Sequence, residues 1–293
     1  MPGKILLVDG TNFACRVFYA LKDYESIPKK RMRIALMRWL DLLKEIRRDS
    51  FSGVYFFFDG MGKRDRSDPN GYKAHRADPE TAMIEFEMAS SKLLRYIGFP
   101  VVFPIEGRES DDDIAAVCFT LLRNTEHEIF IYSRDKDFAQ LVRDRVSLVL
   151  PTTGGKDTVL DSAGVKLKYG VEPRQIADYL ALVGDKSDNI KGVPGIGPKK
   201  GVSLLERFES LDGILSATKD ELSEVVGDRL GEKVFNAKHL IETYFVATSL
   251  RERKVSLPKG KADKAKLASL LSQHTILADP DQVLKRSASL IPQ

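Results

Sequence analysis

The chain has 293 residues, 43% of them apolar, enough for a genuine core in one large domain or a domain with a smaller appendage. Only two cysteines, Cys15 and Cys118, and four scattered histidines without zinc-type spacing occur, which excludes a disulfide framework and a Cys/His metal site and makes both cysteines core residues. Lys and Arg total 46 against 42 acids, a net +4; if many of the acids gather in one site, the remaining surface is strongly basic and suits a polyanion.

The N-terminal "MPGKILLVDG" has an apolar run of four residues before Asp9, too short for a signal peptide or a spanning helix, so a cytosolic protein is expected, whatever the host, without membrane contact. "KILLV" (4–8), "VYFFF" (54–58), "VVFPI" (101–105), "EIFIY" (128–132) and "VSLVL" (146–150) are continuous apolar runs, the mark of strands buried on both faces. With helices between most of them, the expected fold class is α/β with a mostly parallel central sheet flanked by helices. Ile34, Met37, Leu40, Leu43 and Ile46 recur at three-residue steps as a core stripe with a basic exterior, Trp39 lying on an ordinary face of that helix. Asp78-Pro79-Glu80 reads as a helix start and Gly98 as its stop. Ile114, Val117, Cys118, Leu121 and Leu122 mark another amphipathic helix. Beyond about residue 166 no strand run follows. The expected divisions are a catalytic α/β domain at 1–165, a helical subdomain at 166–245, and a C-terminal segment at 246–293 that packs back on the first domain, with "KGKADKAK" (259–266) as a solvated loop or helix start.

Three strand runs end in acid: Asp9, Asp59, and the pair Asp135 and Asp137; a fourth leads into Glu109, Asp111 and Asp112. Each alone reads as a helix cap or a turn. Parallel strands, however, bring their C-terminal ends to one edge, where sites collect. Two carboxylates 4 Å apart repel by roughly 4 kcal/mol at an effective dielectric of about 20, so such a cluster calls for a cation or for protonation. Oxygen-only donors point to Mg²⁺, with Mn²⁺ as substitute, and their number implies two ions and in-line displacement at phosphorus.

"VGDKSDNIKGVPGIGPKK" (183–200) then joins Asp185 and Asp188 to Gly192, Val193, Gly195, Ile196 and Gly197, followed by Lys199 and Lys200 at a helix start, a turn suited to gripping a phosphate through backbone N–H groups. Between strands, "MGKRDRSDPNGYKAHRADPE" carries Tyr72, Lys73 and Arg76, placed to meet phosphates or to stack on a base.

These motifs, in this order from "VDGTNFACR" to "GVPGIG", resemble the 5′ nuclease or flap endonuclease family over roughly residues 4–250. The resemblance implies a PIN-like 5′ nuclease fold with a helix-hairpin-helix subdomain and a helical arch at about 61–97. It implies Mg²⁺-dependent 5′ to 3′ exonuclease and flap endonuclease action on DNA with a 5′ flap, nick or 5′ end, the end being RNA-primed in some substrates, by a monomer. Asp9, Asp59, Glu109, Asp111 and Asp112 match one metal group, and Asp135, Asp137, Asp185 and Asp188 the second, with Asp111 shared and catalytic. Lys73 and Arg76 match catalytic arch residues that also bind DNA, as Tyr72 and Arg16 do. The glycine turn matches a duplex-binding hairpin that takes K⁺. Leu180, Asp113 and Arg134 depart from the family pattern, the last two offsetting each other in charge. The competing readings are a catalytically silent junction binder and a PIN-like ribonuclease, the latter typically lacking the glycine hairpin.

Overall fold

The computed structural model describes residues 2–59, 80–104, 109–152, 156–250, 255 and 257–292. Six strands form one sheet in the order β3-β2-β1-β4-β5-β6: β1 Lys4–Asp9, β2 Gly53–Phe57, β3 Val101–Val102, β4 Glu128–Tyr132, β5 Val146–Leu150 and β6 Thr158–Leu160. All pairings are parallel except β5 with β6. The apolar runs are strands because both faces are covered. Ile5 and Leu7 of β1 enter one core while Leu6 and Val8 enter the other, and Tyr55 and Phe57 of β2 oppose Val54 and Phe56 in the same way.

Two departures from the sequence expectation concern strands. The 101–105 run pairs only at Val101 and Val102; Pro104 lacks an N–H for a ladder, and Ile105 lies outside the described residues. β6 was not expected, since a three-residue edge strand with Thr158 and Val159 exposed carries no apolar run.

On one face lie α1 Gly10–Ala20, α2 Pro28–Arg48 and α3 Thr81–Ile97, together with α12 Lys264–Gln273 and α13 Pro280–Ser287. The buried stripe of α2 is Ala35, Leu36, Trp39, Leu42, Leu43 and Ile46, whereas Met37 is 41% exposed. A constant step of three drifts off a helix that repeats every 3.6 residues, which is why Met37 leaves the core and Trp39 enters it. The Trp39 indole N–H donates to Ser90 Oγ at 2.8 Å, and its ring packs on Phe13, Phe56 and Phe58. Helix α3 starts at Thr81 with Glu80 as cap, so the expected Asp78-Pro79 start lies outside the described residues, while Gly98 does end it at φ +108°.

On the opposite face α4 Ser110–Asn124 covers the sheet through Ile114, Val117, Cys118 and Leu121. Cys15 is half-buried and Cys118 buried, and neither is joined in a disulfide. From Ser162 onward the described elements are helical. They comprise α5 Ser162–Tyr169, α6 Ile176–Val183, α7 Pro198–Phe208, α8 Leu211–Ser216, α9 Lys219–Val226, α10 Asp228–Asn236 and α11 Lys238–Thr248, which continue the α4-side core. Leu267, Leu270, Leu271 and Leu290 of the C-terminal segment close the other core. Among the described residues no helix is long and apolar enough to cross a membrane.

Candidate active site

Strand β1 is central, with β2 on one side and β4 on the other, so the crevice at the C-terminal ends of β1 and β4 is a topological switch point. Asp9 ends β1 and caps α1, its Oδ1 accepting from Asn12 N at 2.9 Å. Its Oδ2 accepts from Ser133 Oγ at 2.7 Å across the crevice. Burial, reinforced by the fields of Asp59 and Asp135, pushes the Asp9 carboxyl up to about 8. Asp59, just beyond β2, accepts from Ser110 N at 2.8 Å, tying β2 to the first turn of α4.

That turn holds Glu109 as cap, then Asp111, Asp112 and Asp113, where the helix dipole favours acids. Asp112 and Asp113 are buried, and Asp111 Oδ1 accepts from Asp112 N at 2.7 Å. After β4, Asp135 caps a 3₁₀ turn and accepts from Asp137 N at 2.9 Å. Asp137 is 3% exposed, and its Oδ1 is buried without a hydrogen-bond partner. Burial, then the fields of Asp135, Asp188, Asp185 and Asp111, push its carboxyl well above the usual range.

Asp185 reaches the same neighbourhood from the helical region. Burial acts to raise its carboxyl, but Lys136 at 2.6 Å and the Ser187 hydroxyl and N–H outweigh it and hold the group below its ordinary value. An antiparallel bridge between Asp185 and Ile190 closes the loop around buried Asp188.

The structure therefore brings acids from four strand ends and from the 183–190 loop into one mutually repelling set. Among the described residues, no three of them are gathered as tightly as a finished ligand shell; Asp9, Asp59, Asp111, Asp135 and Asp185 lean instead on backbone N–H groups, a serine or Lys136. The donor set is oxygen only, and the buried Asp137 Oδ1 keeps a lone pair that no protein donor satisfies, so the residues fit a hard divalent ion.

Sequence reasoning missed Glu87 and Thr11. The Thr11 hydroxyl bonds the Glu87 carboxyl and accepts from Asp59 N at 2.7 Å, so α3 braces the end of β2 through α1. Burial is the main reason the Glu87 carboxyl rises to about 7. The readable signal was the polar Glu87 between Phe86 and buried Ser90, on a helix leading straight from the basic motif.

Of the DNA-contact candidates, Tyr72, Lys73 and Arg76 lie outside the described residues. Arg16 is half-buried against the Tyr132 hydroxyl, with Nη1 buried and unbonded. Arg134 donates Nε–H to the Pro151 carbonyl at 2.9 Å rather than to Asp113, and Leu180 is a core residue, 4% exposed.

The glycine turn joins α6 to α7. Val193 N donates to Leu182 O, Ile196 N to Val193 O, and both side chains are buried as anchors. Gly192 has φ +62°, and a Cβ there would lie 2.5 Å from Gly184 N; Gly195 has φ +98°. Gly197 caps α7 with φ −100°, Pro198 occupies its first turn, and Lys199 and Lys200 are exposed. Lys233 Nζ donates to Pro194 O at 3.3 Å, so α10 buttresses the turn.

Comparison with known proteins agrees with this architecture. T5 5′-exonuclease bound to zinc superposes with a TM-score of 0.67 over 98% of this chain and 99% of its own at 19% identity, and T5 D15 protein with metal ions at 0.66 and 21% identity, covering 97% and 99%. These likenesses define the fold class: a PIN-like, resolvase-type α/β sheet with an appended helical domain. Residues 4–170 match the family model of the 5′-3′ exonuclease N-terminal resolvase-like domain and residues 171–267 that of the 5′-3′ exonuclease C-terminal SAM fold. The chain belongs to the 5′-3′ exonuclease family. A 5′-3′ exonuclease of Aquifex aeolicus is 28% identical over 97% of both chains, and one of Buchnera aphidicola 34% identical over 71% of this chain and 68% of its own. A thermostable DNA polymerase I of Thermus caldophilus is 31% identical over 95% of this chain, which spans 34% of that relative's length.

Proposed function

We propose that this chain is a structure-specific 5′ nuclease that hydrolyses DNA phosphodiesters at or near junctions of a 5′ single strand with duplex, working as a monomer in the cytoplasm. The observation that supports it most is the continuity of Asp185, Asp188 and the glycine turn: one loop links the acidic sheet edge to a backbone phosphate grip. The catalytic domain would be 1–165, the duplex-binding subdomain 166–245, and 246–293 a segment packed on the first.

Asp9, Asp59, Glu109, Asp111 and Asp112 would hold one Mg²⁺, and Asp135, Asp137, Asp185 and Asp188 a second, with Asp111 between them and Mn²⁺ an acceptable substitute. The chemistry such ions supply when bound is activation of water near neutral pH and neutralisation of charge on the reacting phosphate. The chain's own part is positioning. Ser133, Ser110 and Lys136 aim the carboxylates, Gly192 to Gly197 with Lys199 and Lys200 fix the duplex through its phosphates, with K⁺ as the expected companion of that turn, and Arg16, Tyr72, Lys73 and Arg76 receive the single strand. Backbone and phosphate contacts carry no base code, so recognition is of shape and falls steeply with salt.

The test is cleavage of a 5′-labelled flap duplex in Mg²⁺ and in EDTA, beside single-stranded, blunt-duplex and RNA controls. Metal-dependent cuts near the flap base are expected. Tight binding without cutting in Mg²⁺ or Mn²⁺ would replace this reading with a silent junction binder, and preference for RNA with a ribonuclease.

A further inference from the structure

The stripe of α2 that leaves the core, Arg33, Met37, Leu40, Lys44 and Arg47, forms one wall of a groove of about 910 Å³. The turn Ile276–Asp279 and α13, through Val283 and Arg286, form the other. Its lining offers open apolar side chains: Leu277 is 93% exposed and Met37 41%. Its rim is basic. Lys44 is matched by Asp41 at 2.9 Å, but no described carboxylate pairs with Arg33, Arg47 or Arg48. The helix dipole accounts for cations in the last turns of α2 and α13. It accounts neither for Arg33 nor for the exposed leucine and methionine between the cations.

We propose that this groove docks a short acidic segment of a partner protein, one that sets two apolar side chains on Met37 and Leu277 and pairs its carboxylates with Arg33, Arg47 and Arg48. Size limits the occupant, since a groove of this volume takes a few side chains rather than a domain face. Charge selects an acidic one. A phosphate backbone would match the arginines but has nothing to place on Met37 and Leu277. Location also favours protein: α2 ends five residues before Gly53, the start of β2, so the groove's Arg47–Arg48 end sits at the sheet edge opposite Asp59. From Arg33 to Arg48 the wall runs about 22 Å at 1.5 Å per residue, long enough for two turns of an amphipathic helix. A partner seated there would tether the chain while leaving the acidic edge open.

The experiment is fluorescence anisotropy of a labelled twelve-residue glutamate-rich peptide carrying two leucines four apart, titrated with the full chain. Controls are the same peptide with serines for leucines, its lysine-rich counterpart, and a single-stranded oligonucleotide. The leucine peptide is expected to bind at least about tenfold more tightly than the serine peptide, the fold-change that half-burying its two leucines supplies at roughly 1.5 kcal/mol per fully buried leucine. Arg47→Glu with Arg48→Glu, and separately Leu277→Lys, should each weaken it severalfold while leaving flap-duplex cleavage unchanged; all three positions are exposed and tolerate the change in the fold. Equal binding of the serine peptide, indifference to both variants, or stronger competition by the oligonucleotide would each overturn the proposal. So would a concentration-dependent dimer lost in the same variants, which would make the groove a self-interface.

Discussion

The acidic sheet edge and the glycine turn sit side by side in the chain yet are built on opposite principles. At the edge the proposed functional groups are side-chain charges held against their own repulsion: Asp9 and Asp137 are buried and raised toward the neutral form, Asp9 between two donors and Asp137 with an unbonded Oδ1. At the turn the proposed functional groups are backbone N–H groups, and Val193 and Ile196 do the holding through burial. The edge should therefore fail by losing chemistry while keeping its fold, and the turn by losing shape.

The largest expected effect tests the first half. Asp135→Asn keeps a similar volume and an acceptor for Asp137 N but removes a charge; cleavage is expected to fall by roughly a thousandfold or more, the scale of a lost electrostatic stabiliser. Flap-DNA affinity, measured by gel shift without divalent ions, should stay within about threefold. If affinity collapsed in parallel, the contrast between the regions would be wrong.

Gly192→Ala is the reciprocal test. Its Cβ would meet Gly184 N, Val183 C and Leu182 O at 2.5 to 2.6 Å, all backbone, at positive φ. A stability loss of about 3 kcal/mol is expected in urea unfolding, with weakened duplex binding. Gly197→Ala, with nothing within 4 Å, should stay within about 0.5 kcal/mol.

Thr11→Val sharpens the edge. It strips the Asp59 N–H and the Glu87 carboxyl of their shared partner and should cost about 1–3 kcal/mol, while Thr11→Ser restores it. A further effect is pH-dependent. Burial raises the Asp178 carboxyl from 3.8 to about 6, its Oδ2 accepting from Leu211 N at 3.0 Å. A raised carboxyl favours its neutral form in the fold, so its contribution is full below about pH 4 and is lost as pH rises through 6. Asp178→Asn should accordingly be stabilising by about 1–2 kcal/mol at pH 8 and neutral at pH 4, as read by melting curves at the two pH values.

Much of this was legible before any coordinates. Continuous apolar runs announced strands buried on both faces, and acids at their ends announced the edge, because strand direction alone carries Asp9, Asp59 and Asp135 to one side. What escaped was contact across helices. The Thr11–Glu87 brace joins residues 76 apart through no shared motif, and β6 is too short and polar to stand out. The α2 stripe was misplaced by one angular step, enough to exchange Met37 for Trp39 in the core.

That exchange equips the molecule with its own optical reporter. Trp39 is the chain's single tryptophan, fully buried, and touches Phe13 beside Asn12 and Phe58 beside Asp59. Its emission should be blue-shifted in the folded state, move to the red on unfolding, and register any shift of the β2 end or of α1, so that events at the acidic edge can be followed in the unlabelled protein.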